Sequence, residues 1–329
     1  MLRAVERGHL NLAEPIARYL PRDVASNGAT VEEVLGHRSG IPEHVTPRFV
    51  AALLAEPSRP WTPAEALSYQ EGAPRPRGEY AYSNTNYILL GMAIERITGR
   101  SVGTVIRGIL LQPLGLHWIT YQDTEKPQGP LAVGLTHLAG AAPVALRDGS
   151  GLLPCRSVAT AAGAAGGMAG DAESMARWAY LLYGGSVLQA ESLRALLGID
   201  GQGFGSSTFK LAGEEAIGHP GRIPGYSGAF AYLPSLETSC AVLINTEPAF
   251  AVLTQGGPML WWLSPAHSIA LWRMAKLWRS MSAWPNSRAT DGTVQPPAAS
   301  GQGHAASGSS HAYAARGRDM LPCPARECL

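Results

Sequence analysis

The sequence predicts an α+β fold, and three observations predict it. Apolar residues recur at helical spacing as far as about residue 198; short apolar and aromatic runs separated by turn residues follow; a further helical pattern spans 267–281. Helices, then strands, then a helix imply an antiparallel sheet covered by helices. With 329 residues and 46% hydrophobic content, the chain can bury a substantial core. These patterns divide it into a mainly helical region over 1–198, a sheet with its helix over 199–283, and a tail over 284–329.

Each element has a local reason. Leu2 and Val5 read as the end of a helix that Gly8 stops, and a second apolar-periodic piece (Leu10, Leu12, Ile16, Leu20) is closed by Pro21. Thr30 is placed to cap a helix over "VEEVLGH", and another helix is expected over 63–69. A longer one over 85–98 presents Leu90, Ile94 and Ile97 on one face and ends at Gly99 in the position after the last turn. Asp171 opens a helix over 171–183 with Met175, Trp178, Ala179 and Leu182 on one side, ended by Gly184-Gly185. "GAFAYLP" and "SCAVLIN", divided by Pro234 and "SLET", suit two antiparallel strands of a hairpin. Beyond Trp284 the chain is rich in Pro, Gly, Ser and Ala without periodicity, and disorder is expected.

Composition excludes several function classes. The formal net charge is +1 with Lys and Arg spread along the chain, so no nucleic-acid footprint is expected. No window is long and apolar enough for a membrane span, and the start lacks the layout of a signal peptide, so the chain as written is expected in the cytoplasm. The helix 267–281 carries Arg273, Lys276 and Arg279 beside Trp272 and Trp278; packing on the sheet suits it better than lying on a membrane surface. Cys155, Cys240, Cys323 and Cys328 have no metal-ligand spacing, and His37 and His44 lack the i, i+4 spacing of a helical zinc site. No metal or cofactor is expected.

Three short elements carry the chemistry: "HRSG" at 37–40, "YSN" at 82–84 and "HPG" at 219–221. In this order, with "VLGHRSGIP" at 34–42, "YSNTNYILLG" at 82–91 and "GGMAGDAESMARW" at 166–178, the chain resembles the serine β-lactamase-like family. That family also holds D-alanyl-D-alanine carboxypeptidases and esterases, and the likeness runs from residue 1 to about 247. The resemblance implies a two-part fold of helical region plus antiparallel sheet and an acyl-enzyme mechanism on a small-molecule or peptide substrate. It implies Tyr82 as proton shuttle and Asn84 as partner of a lysine and of the substrate carbonyl. His219 would hold Tyr82 and the substrate's polar end, and Gly221 with the Arg222 backbone N–H would form one half of an oxyanion hole. His37 and Ser39 it makes structural. Pro220 stands where a small residue is usual; lacking an N–H it demands a sheet edge, and it points to an esterase-like pocket.

One part is missing. The family's Ser-x-x-Lys would stand roughly ten residues before Met1, and the string Ser207-Thr208-Phe209-Lys210 lies only nine residues before His219, in a strand position. The chain is therefore expected to be N-terminally truncated, without a nucleophile and inactive as written. Its sheet is expected to be incomplete, with an exposed edge and poor solubility. The alternative is a non-catalytic relative that binds a peptide or small ligand in the retained pocket.

Overall fold

The computed structural model describes residues 1–138, 142–198, 203–211 and 213–247, and the backbone of 310–316. The expected helix 267–281 lies outside the described residues. In the helical region the chain forms α1 (Leu2–Glu6), α2 (Val31–Leu35), α3 (Pro47–Ala55), α4 (Pro63–Leu67), α5 (Asn84–Thr98), α6 (Val102–Ile106), α7 (Arg156–Gly166), α8 (Ala172–Tyr183) and α9 (Ala190–Leu197). Two small antiparallel pairs join β1 (Thr120–Tyr121) to β4 (Met168–Ala169) and β2 (Leu135–Thr136) to β3 (Val144–Ala145). The main sheet is antiparallel, in the order β5 (Ser207–Leu211), β6 (Glu214–Ile223), β7 (Tyr226–Leu233), β8 (Thr238–Ile244) and β9 (Ser310–Arg316).

Local chemistry sets the boundaries. Thr30 caps α2 reciprocally: its hydroxyl accepts from the Glu33 N–H while the Glu33 carboxylate accepts from the Thr30 N–H. Thr62 and Glu65 repeat the device on α4. Asp171 caps α8 through the Ser174 N–H at 2.7 Å, and Gly99 ends α5 in the left-handed conformation. The apolar piece from Leu10 to Leu20 is not a full helix; Pro15 precedes a single 3₁₀ turn, Ile16–Tyr19, whose apolar side chains bury instead against α2 and α5. The buried stripe of α5 also differs from the expected one. It runs through Asn86, Leu89, Leu90 and Ala93, with Ile94 and Ile97 only partly covered.

α8 fastens the two regions together. Ala179, Leu182 and Tyr183 pack on Ile217 of β6 and Tyr232 of β7, while Ala172 and Ala176 meet Ala241 of β8. The small residues let the helix lie close to the sheet.

Two expectations about the sheet change. The edge of β8 is not open: Ser310–Arg316, from the tail expected to be disordered, pairs along it antiparallel, with Tyr313 opposite Ala241. An unpaired strand edge offers a row of backbone donors and acceptors, and these stabilise a segment whose composition alone would not fold. The rest of the tail lies outside the described residues. The expectation for Pro220 holds: β5 ends opposite Gly218, so among the described residues 219–223 of β6 have a strand partner only in β7.

Candidate active site

The site is built where α5 begins. Tyr82 and Ser83 approach in extended backbone and Asn84 is the first helical residue, so "YSN" sits on the helix N-terminus. The Tyr82 hydroxyl donates to Asn84 Oδ1 at 3.3 Å. Its ring packs on the His37 imidazole with centroids 4.3 Å apart, and Tyr87 stacks on the same imidazole at 5.1 Å. Tyr80 meets it edge-on at 6.1 Å. His37 is therefore the hub of an aromatic cluster.

His37 is held by a buried polar network. Its Nδ1 accepts the Ser83 N–H at 3.2 Å and faces Asn86 Nδ2 at 3.3 Å, which places the ring proton on Nε2. The Ser39 hydroxyl donates to Asn86 Oδ1 at 2.7 Å. Burial, and then the neighbouring His219, lower His37 to about 4, against the opposing influence of Glu43 and of hydrogen bonding at the Ser83 backbone. His219, on β6 opposite Phe230, is lowered as well by burial, with hydrogen bonding at the Pro220 backbone opposing it. Both imidazoles are thus neutral near pH 7. Tyr82 is pushed up to about 12 by the desolvation of its ring packing, then by Glu43 and Tyr80, although 47% of the residue is open to solvent. It is a phenol, not a phenolate. No cation is among the causes acting on it.

Tyr82 and Asn84 meet directly, and His219 is near enough to His37 to lower it electrostatically. Gly221 and Arg222 lie further along the exposed part of β6, beyond the end of β5, opposite Gly228 and Ser227. Ser207 opens β5 opposite Gly218 and so stands on a strand rather than at a helix N-terminus. His44 is buried, with Nδ1 3.0 Å from Thr85 Oγ1.

The family model described as Beta-lactamase matches residues 1–255. The chain belongs to the Beta-lactamase family. Among solved structures, this Beta-lactamase-family chain is similar to a D-stereospecific amidohydrolase from Streptomyces sp., at TM-score 0.65 and 27% identity, over 74% of this chain and 77% of that one. It also shares its fold with D-amino acid amidase from Ochrobactrum anthropi SV3 (TM-score 0.65, 23% identity, 85% and 80% covered). Among curated relatives, unguisins hydrolase ungD' of Aspergillus campestris is 27% identical over 241 residues, 67% of this chain and 43% of the relative. Protein flp of Staphylococcus aureus is 30% identical over 149 residues, covering 44% and 29%. The chain spans less than half the length of these curated relatives. No helix among the described residues is long and apolar enough to cross a membrane.

Sequence reasoning missed Glu43 and Asn86. For Asn86 a signal existed: it stands three, four and seven residues before Leu89, Leu90 and Ala93, and a polar side chain in an apolar stripe needs buried partners. Replacing it with the similarly sized leucine strands the Ser39 hydroxyl proton and leaves His37 Nδ1 with the Ser83 N–H alone. We expect Asn86→Leu to lower unfolding free energy by about 2–4 kcal/mol, read by urea denaturation; a loss below about 1 kcal/mol would show that the network contributes little.

Proposed function

We propose that this chain carries the acyl-transfer pocket of a serine hydrolase acting on an ester or amide. Tyr82 moves protons between the attacking hydroxyl and the leaving group, and Asn84 orients the reacting groups. His219 bounds the pocket on the sheet side, and the Gly221–Arg222 edge receives the carbonyl oxygen. On this reading Ser207 and Lys210, on strand β5, do not form the acylating pair, and the chain by itself does not turn over substrate. What supports this reading is the Tyr82–Asn84 hydrogen bond beside the His37 ring, with His219 of the distant strand β6 near enough to lower His37, in a Beta-lactamase-family chain. The similarity to a D-stereospecific amidohydrolase supports an amide as the substrate class.

The division of labour follows from the protonation states. A hydroxyl attacks a carbonyl well only when a base removes its proton, and Tyr82, raised as it is, enters as a proton donor. The group that accompanies the nucleophile takes the hydroxyl's proton and passes it to Tyr82 as Tyr82 gives its own to the leaving group, so the proton count balances. The experiment incubates the chain with a chromogenic cephalosporin and with p-nitrophenyl esters. No turnover and no covalent adduct are expected, and either one would overturn the assignment of the nucleophile. A polypeptide extended by the family's Ser-x-x-Lys helix should gain turnover, and Tyr82→Phe in it should reduce kcat by about 10²-fold or more. Failure of the extended form to turn over any of these substrates would overturn the function.

A further inference from the structure

Glu43 lies in the loop between α2 and α3, 41 residues from Asn84 in sequence, and its carboxylate is shared by two parts of the chain. Oε1 accepts the N–H groups of His44 at 2.7 Å and Val45 at 2.8 Å, which closes the loop on itself. Oε2 accepts the Asn84 backbone N–H at 2.6 Å and the Asn84 Nδ2 at 2.9 Å. None of these four donors is a lysine or an arginine.

We infer that Glu43 is a positioning residue of the acyl-transfer site: it grips Asn84 by main chain and side chain, and so aims the carboxamide oxygen at the Tyr82 hydroxyl. This rests on the functional reading above. Three observations carry it.

The N-cap of α5 is Ser83, whose side chain makes no capping hydrogen bond. The first N–H of this 15-residue helix is satisfied instead by a carboxylate from another loop, and a negative charge is favourable at that end of a helix. Glu43 thus performs for α5 the task that Thr30 performs locally for α2.

The carboxylate also decides which way the Asn84 amide faces. A carboxylate only accepts, so the amide nitrogen must turn to Glu43 and the oxygen to Tyr82. Tyr82 is then the donor of that pair, with its lone pairs left for an incoming hydroxyl. The second N–H of Asn84 Nδ2 stays available for a ligand carbonyl.

Finally, the charge bears on Tyr82 specifically. Burial alone would raise the Glu43 carboxyl, but hydrogen bonds from His44, Val45 and Asn84 outweigh burial and bring it down to about 2, so it is ionised throughout the working range. Tyr82 is surrounded by Glu43, Tyr80 and the His37 ring, with His219 behind His37 and Arg38 beside Tyr80. Glu43 is the one of these that adds a fixed negative charge next to the phenol. Tyr87, in the same cluster, is raised by burial and by Tyr82, Tyr80 and Tyr183, without Glu43 among the causes. It is a built-in control.

The test uses the full chain with tyrosine labelled at Cζ with ¹³C, the Tyr82 signal being the one that Tyr82→Phe removes and the Tyr87 signal the one that Tyr87→Phe removes. In Glu43→Gln the Tyr82 titration midpoint should fall by about one pH unit, a tenfold change, while Tyr87 stays in place. The Asn84 side-chain amide protons should exchange at least tenfold faster, and Glu43→Asp should recover part of both effects. An unmoved Tyr82, or equal movement of Tyr82 and Tyr87, would overturn the inference, the second because it signals general loosening. Binding of the neutral N-acetyl-D-phenylalanine amide, followed at the same Tyr82 signal, tests the pocket separately. If the ligand leaves Tyr82 unshifted while Glu43→Gln still moves its midpoint, the functional reading fails and the link between Glu43 and Tyr82 stands.

Discussion

Gly40→Ala is expected to cost about 4 kcal/mol or more of folding stability, enough to leave much of the chain unfolded. Gly40 has φ +68°, and a Cβ there would lie 2.1 Å from the Arg75 carbonyl oxygen and 2.9 Å from Asn27 Nδ2. Neither neighbour can give way easily. The Arg75 N–H donates to the Gly40 carbonyl at 2.8 Å, and Asn27 Nδ2 donates to the Ser39 carbonyl at 2.8 Å and the Arg75 carbonyl at 3.2 Å. The same seam continues with Gly78 N–H to Arg38 and Ala81 N–H to His37, so opening it would loosen the whole segment that carries His37, Ser39 and Glu43. Gly8 supplies the comparison: its φ is +70°, but nothing lies within 4 Å of a Cβ there. Gly8→Ala should lose only the left-handed strain, about 1–2 kcal/mol. Urea denaturation of the two variants measures the difference, and equal losses would refute the contribution of the seam.

Acidification should weaken the fold in two successive windows. His37 is lowered from 6.5 to about 4, so the unfolded chain takes up a proton near pH 6.5 and the folded one only near pH 4. The stability that this buried neutral imidazole contributes is complete above pH 6.5 and is lost as pH falls from there to about 4, by about 3 kcal/mol in total. His219, lowered in the same direction, adds to the slope. Glu43, depressed from 4.5 to about 2, acts next: its contribution is present above pH 4.5 and disappears as pH falls toward 2. Unfolding free energies measured by denaturant between pH 7.5 and 3 should therefore fall first through the histidines. His37→Asn, whose side chain tolerates the positive φ of that position, should flatten the segment between pH 6.5 and 4. An unchanged slope would assign the acid sensitivity elsewhere.

How much of this was legible depends on whether the controlling interaction is local. α2, α4 and α8 begin where Thr30, the Thr62–Glu65 pair and Asp171 put them, because a cap and its target lie three residues apart. The hairpin β7–β8 announced itself by composition and by the turn at Pro234. "YSN" and "HPG" were recognisable as short strings; Tyr82 packs on the His37 ring, and His219 is near enough to lower His37. Glu43 was not recognisable, since its partner Asn84 is 41 residues away and nothing near Glu43 marks it. α7 was missed because "RSVATAAGAAG" has too few large apolar residues to show a period; it is buried through Ser157, Val158, Ala159 and Ala161 against other elements. Ser310–Arg316 could not be read either, for a strand that depends on a distant edge carries little signature of its own.

Pro220 has one more consequence. A proline enters a strand without losing a ladder bond only where its nitrogen points off the outer margin, and nitrogens along a strand alternate in direction. The Arg222 N–H, two positions further on, then points outward as well, while position 220 contributes no donor. A visiting chain laid against this rim would meet an interrupted row of donors where a continuous run is needed, so the proline discourages stacking by stray β-segments.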